Sequence, residues 1–106
     1  MDRILAHRSG DDVAVAVDDI AAGEEVNGRC LEGGDRISVR ARDDVPLGHK
    51  IALNDRPVGS EIVEYGVAIG EATIDVQAGD HVHVHNLGSI RWRSSQRPAP
   101  AAASQR

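Results

Sequence analysis

The chain has 106 residues, a formal net charge of -5 and a sequence pI near 5.4, a balance that argues against a nucleic-acid or anionic-membrane surface as its partner. Hydrophobic residues make up 41% but aromatics only 2%, with one Tyr, one Trp and no Phe, so Val, Ile, Leu and Ala fill the core of a single small domain, which favours thin β-structure. Cys30 is the only cysteine, which excludes an intrachain disulfide, and no stretch reaches the roughly 20 apolar residues of a membrane helix or the apolar run of a signal peptide; a soluble, cytoplasmic protein is expected.

In chain order, short strand-like runs alternate with turn signals. Residues 3–7 open the series and 13–17 follow. The pattern over 18–25 fits one helical or 3₁₀ turn. Arg36–Arg40 alternates Ile37 and Val39 with polar residues, the period of a half-buried strand. Residues 50–53, 71–74 and 81–85 complete the set. Ser9-Gly10-Asp11, Gly33-Gly34-Asp35, Pro46-Leu47-Gly48 and Ala78-Gly79-Asp80 read as the turns between runs. No window carries a 3.6-residue apolar stripe of helical length. The sequence therefore predicts a mostly β domain over 1–93. A Pro-, Ala- and Ser-rich tail, 94–106, is expected to be disordered. Near that end, Arg91, Arg93 and Arg97 read as a solvated basic cluster. Trp92 is an aromatic suited to docking on a partner.

One spacing recurs inside the domain. Ala16-x-x-Asp19-Ile20-x-x-Gly23-x-x-Val26 returns as Ala52-x-x-Asp55-Arg56-x-x-Gly59-x-x-Ile62 and as Ala72-x-x-Asp75-Val76-x-x-Gly79-x-x-Val82. Each copy reads as a strand end, an Asp bonding its own backbone in a turn, an inward residue, and a Gly at positive φ before the next strand. The copies are unequally spaced, which excludes a solenoid. Arg56-Pro57 breaks the second copy and is expected to place that turn at the surface.

Three of the five histidines fall within 79–87, GDHVHVHNL. If 81–85 is extended, His81, His83 and His85 share one face, while Val82 and Val84 point into the core and hold the register. Neutral imidazole ligates iron, manganese or zinc. Same-face residues on a flat strand stand ~6.5–7 Å apart, so neighbours converge on one ion only where the strand bends. On spacing alone two roles stand open: polar histidines hydrogen-bonded at a surface or interface, or a metal or substrate role for at least one.

Other polar positions have similar pairs of readings. Asn86 suits a strand-ending turn. Lys50, after Gly48 and His49, is a point charge for a carboxylate, sulfonate or phosphate, or else a solvated strand-edge lysine. Tyr65, beside Gly66, is a buried ring with a bonded hydroxyl or a catalytic phenol. His7 reads as a strand residue with no special partner, and Cys30 as a buried, idle thiol.

Four segments occur in order at a telling spacing: DDVAVAVDDIAAGEEV at 11–26, VPLGHKIAL at 45–53, YGVAIGEA at 65–72 and AGDHVHVHNL at 78–87. Together they resemble the SAF-type domain of the altronate and galactarate dehydratase family, over roughly residues 5–92. The small subunit of sulfolactate sulfo-lyase, which eliminates sulfite instead of water, is similar too. The resemblance implies a β-clip fold, a small, folded-over, mostly β domain. It implies a large catalytic dehydratase or lyase subunit as partner, a small hydroxy-acid substrate and a higher oligomer. It also implies a divalent metal, Fe2+ or Mn2+, held mainly by the partner.

Residue by residue, the resemblance implies catalytic roles for His83 and His85. It implies substrate contacts for His49, Lys50, Tyr65, Gly66 and Asn86, and metal ligation among His81, His83 and His85. Glu64 departs from the lysine usual before Tyr-Gly in the family and reverses a charge there. The short end after Trp92 is expected of a free-standing small subunit. The implied reaction is β-elimination: a base takes the proton alpha to a carboxylate and an acid assists the departing group. A chain this small does not enclose a sugar acid alone. Three readings follow: a small subunit of an altronate/galactarate-type dehydratase, a sulfo-lyase small subunit, or a non-catalytic module binding a small anion or a protein partner.

Overall fold

The computed structural model describes residues 2–89. The expected disordered tail, the basic cluster Arg91, Arg93 and Arg97, and Trp92 lie outside the described residues. Those described form nine short strands and no helix: β1 (Ile4–Ala6), β2 (Val13–Ala16), β3 (Glu25–Cys30), β4 (Arg36–Arg40), β5 (Lys50–Ala52), β6 (Glu61–Glu64), β7 (Val67–Ala72), β8 (His81–Val82) and β9 (Leu87–Gly88). Six make one sheet in the order β4-β3-β1-β2-β5-β8; three make a second, β6-β7-β9. β1 and β3 run parallel, and every other pair is antiparallel.

Side-chain alternation divides the apolar residues into two cores. Ala14 of β2 and Ile51 of β5 pack with Ile4, Ile20, Val26 and Val45. Their chain neighbours Val13 and Ala52 point to the other face and pack with Ile62, Ala72, Val76 and Val82. β2 and β5 thus form the wall between the cores, and the chain folds over them. This is the mostly β, clip-like architecture that the resemblance implies. With no Phe in the chain, Ile and Val carry the packing, each buried side chain contributing roughly 1.5–3 kcal/mol.

The recurring turn occurs four times rather than three. The further copy is Ala41-x-x-Asp44-Val45-x-x-Gly48-x-x-Ile51. The copies work in pairs, with bridges between Ile20 and Val45 and between Arg56 and Val76. Each Asp caps the turn across the bridge instead of its own. Leu47 N–H donates to Asp19 and Ala22 N–H to Asp44, both at 2.9 Å. Val58 N–H donates to Asp75 at 2.9 Å and Ala78 N–H to Asp55 at 2.8 Å. Crossed backbone bonds close each pair: Gly23 and Gly48 donate to Ala41 and Ala16, and Gly59 and Gly79 to Ala72 and Ala52. Arg56 therefore keeps its bridge and does not break its copy, while Pro57 and Val58 are exposed as expected of a surface turn.

Two further expectations are corrected. Residues 18–25 form no helical turn, because Ile20 is extended to bridge Val45 and Glu25 already begins β3. The run at 71–74 is the end of a longer strand, Val67–Ala72. β3, β6 and β9 are strands that the periodicity did not mark. In β3 and β7 a glycine interrupts the apolar pattern for a packing reason: a Cβ at Gly28 would collide with the Ile4 carbonyl, and one at Gly70 with the Gly88 carbonyl.

Candidate functional site

Strand β8 ends at Val82, so His81, His83 and His85 do not share one strand face. The chain turns over 83–86 instead. His83 N–H donates to Asn86 Oδ1 at 2.9 Å, and Asn86 and Leu87 N–H donate to the His83 carbonyl at 3.1 and 2.9 Å. Asn86 Nδ2 also donates to the His81 carbonyl at 2.7 Å. Asn86 is 2% exposed, and both ends of its amide hold this turn. Val84, expected in the core, is 82% exposed at the turn's tip.

The turn gathers the imidazoles more tightly than a flat strand would. The ring centroids of His81 lie 5.5 Å from His83 and 5.4 Å from His85. A fourth ring joins them. His49, in the loop before β5, stacks on His83 at 4.6 Å and 12°, and its Nδ1 stands 2.9 Å from His81 Nε2. β5 and β8 pair antiparallel with Lys50 opposite Val82 and Ile51 opposite His81, which brings the start of β5 to the end of β8 and so sets His49 beside the histidine turn. His83 and His85 are exposed; His49 and His81 are half-buried. Burial pushes the His81 pKa down, helped by His49, His85 and His83 and opposed by Asp43. His81 is therefore the imidazole that resists protonation.

Among the described residues no group of three His, Cys, Asp or Glu side chains is placed to hold a metal ion. Near-parallel rings such as His49 and His83 set their in-plane nitrogens side by side rather than toward one point. The ligand set implied for His81, His83 and His85 does not fit this arrangement.

A second polar group stands on the other face of β5. Lys50 lies opposite Val82, while Ile51 lies opposite His81, so Lys50 projects away from the imidazoles. Its Nζ lies 3.8 Å from Glu64 Oε1, and Glu64 Oε2 lies 3.8 Å from His7 Nε2. The His7 ring packs on Tyr65 at 4.8 Å, and the Arg8 guanidinium covers the same ring at 4.9 Å. His7 thus has partners that the sequence did not disclose. Tyr65 is 51% exposed rather than buried. Tyr65 and Gly66 link β6 to β7 with φ of 58° and 73°, the left-handed pair of a tight hairpin turn that rarely admits a tyrosine. Buried Asp11 holds it there. Its carboxylate accepts from Tyr65 N–H at 2.8 Å, Gly66 N–H at 3.2 Å and Arg8 N–H at 3.4 Å. Asp12 fastens β6 likewise, accepting from Val63 N–H at 2.8 Å.

The structure therefore assembles His49 with His81, His83 and His85, and sets Lys50, Tyr65 and Gly66 in a separate cluster. Sequence reasoning missed the roles of His7, Arg8 and Asp11, and marked Glu64 only as a reversed charge without its partners Lys50 and His7. The adjacent acids 11 and 12 beside a Ser-Gly turn were the available signal, and Asp11 read only as part of that turn. Cys30 is buried as expected, and burial raises its pKa. A cleft of about 610 Å³ lies beside Arg8, Asp11, Cys30, Arg36 and Asn54. None of the four clustered imidazoles lines it, so the chemistry marks the site better than the cleft does.

The chain matches the family model described as the altronate/galactarate dehydratase SAF domain over residues 2–90. It is 40% identical over 103 residues to the altronate dehydratase of Escherichia coli (strain K12), a match covering 91% of this chain and 20% of that protein. It is 32% identical over 89 residues to the (2R)-sulfolactate sulfo-lyase subunit alpha of Chromohalobacter salexigens, covering 83% of this chain and 95% of that subunit. The alpha subunit from Paracoccus pantotrophus is 37% identical over 65 residues, covering 59% of this chain and 97% of that subunit. The chain thus spans about a fifth of the altronate dehydratase it matches and nearly all of the sulfo-lyase alpha subunit.

Proposed function

The chain belongs to the altronate/galactarate dehydratase SAF-domain family, and from that premise we propose that it is the small component of a hydroxy-acid lyase of the altronate/galactarate dehydratase type, completed by a large catalytic partner. The observation that carries this reading is the cluster of four imidazoles at the start of β5 and the end of β8. The higher identity to altronate dehydratase supports elimination of water.

In this reading the exposed His83 and His85 move protons at the seam with the partner, one group accepting the proton alpha to the substrate carboxylate and another protonating the departing oxygen. His81 stays neutral and, bonded to His49, orients the cluster. His49 meets the substrate beside it. Asn86 sets the turn that presents His83 and His85. Lys50, Tyr65 and Gly66 form a separate contact region on the other face of β5. In this reading a divalent iron or manganese is held mainly by the large partner.

A second reading, the alpha-type component of a sulfo-lyase, draws support from the alignment along 95% of that subunit. Affinity purification of the tagged chain from its native cells, with elimination assays on the eluate, tests both. A large lyase-type partner in fixed ratio, with water lost from altronate or galactarate, upholds the first reading. Sulfite release from (2R)-sulfolactate upholds the second. A well-folded chain with neither partner nor elimination activity overturns both and leaves a non-catalytic binding module.

A further inference from the structure

Glu64 sets a carboxylate between Lys50 and His7. Its two carboxylate oxygens serve different nitrogens, Lys50 Nζ and His7 Nε2, each at 3.8 Å. Both distances exceed hydrogen-bond length, so the carboxylate answers the Lys50 charge and faces the His7 ring without being locked to either. The Glu64 side chain is 13% exposed, against 34% for Lys50 and 41% for His7. The Lys50 and His7 side chains therefore stay more open to solvent than the carboxylate between them. The other nearby carboxylate, Asp11, is tied to backbone N–H groups of Arg8, Tyr65 and Gly66 and does not reach Lys50. The half-exposed Tyr65 ring stands beside His7 on a backbone held at φ 58°. Strain of this kind is kept where a side chain must point somewhere specific.

We propose that Lys50 and His7, beside Tyr65, form an anion subsite for the carboxylate of a small hydroxy acid, and that Glu64 is a built-in carboxylate that occupies it. Glu64 is then the residue that sets which anions the subsite accepts. A ligand carboxylate enters only against the charge of Glu64, and loss of that charge opens the subsite. The subsite lies across β5 from the imidazoles. The choice of a hydroxy acid as ligand rests on the function proposed above; the geometry of the subsite does not.

The test uses the full chain alone and L-malate as a probe, with binding followed by NMR shifts of the His7 ring and the Lys50 side chain. The wild-type chain binds malate weakly. Glu64→Gln, which keeps the shape and removes the charge, binds at least about tenfold more tightly, as expected when one opposing charge at this distance is removed. Glu64→Ala shows the same gain and guards against a private hydrogen bond from the glutamine amide. Adding Lys50→Met to either variant abolishes the gain. Equal affinity of wild type and both single variants overturns the proposal, as does a gain that survives Lys50→Met. Because no partner subunit is present, failure of this test is distinguishable from failure to find a lyase partner.

Discussion

His49 Nδ1 and His81 Nε2 stand 2.9 Å apart, so one nitrogen donates, the other accepts, and the pair shares a single proton. Burial and the neighbouring imidazoles depress the His81 pKa below its ordinary value of 6.5. Above that value His81 is neutral in both folded and unfolded chains. As the pH falls through it, the unfolded chain takes up a proton that folded His81 refuses, and stability falls until the folded pKa is passed. The thermal midpoint of the wild type is expected to drop between pH ~7.5 and ~5.5, more steeply than that of His81→Gln. Parallel curves would contradict the depressed pKa.

Asp11 is 3% exposed and its carboxylate satisfies backbone N–H groups of Arg8, Tyr65 and Gly66. Asp11→Ala strands those donors and is expected to cost ~2–4 kcal/mol in urea unfolding. The packing of His7 on Tyr65 should loosen at the same time, read as loss of ring-current shifts in the NMR spectrum. A variant as stable as wild type, with those shifts intact, would show that the hairpin tip holds itself.

Gly28 and Gly10 separate two reasons for a glycine. Gly10 has φ of 92° and open space around its Cβ position, whereas Gly28 is overlain by Ile4. Gly10→Ala is expected to cost about 1–2 kcal/mol from backbone strain. Gly28→Ala must part β1 from β3 and is expected to cost more than ~3 kcal/mol or to abolish folding. Chemical denaturation of the two variants side by side checks the order.

What was legible follows from which forces act locally. Arg36–Arg40 shows its alternation because Ile37 and Val39 both face the core. The Asp-to-Gly turn spacing is visible because one local geometry demands it, although the copy at Asp44 shows clearly only once its bridge to Ile20 is in place. Strand β3 is obscured by Gly28, whose place is set by Ile4 on a distant stretch of chain. The grouping of histidines is plain in the sequence, but the bend that gathers them is not. Alternation assigns Val84 to the core, and only the buried Asn86 amide shows why the strand stops. Glu64, Lys50 and His7 meet where the smaller sheet packs on the larger one, which no short-range pattern records.

The paired turns give a test of coupling. Asp19 and Asp44 cap each other's turns across one bridge, and Asp55 and Asp75 across another. In double-mutant cycles to Ala, Asp19 with Asp44 is expected to couple by at least ~0.5 kcal/mol, while Asp19 with Asp55 adds within about 0.3–0.5 kcal/mol. Additivity within a pair would mean that each turn folds independently of its bridge.

The most direct measurement of the central claim is turnover of the assembled lyase with wild-type chain, with His83→Ala or His85→Ala, and with the chain omitted. Substrate elimination is expected to need the chain, and at least one of the two substitutions is expected to lower kcat by ~10²-fold or more while the complex still forms. Unchanged turnover in both variants, or equal turnover without the chain, would contradict a catalytic role for the imidazole cluster.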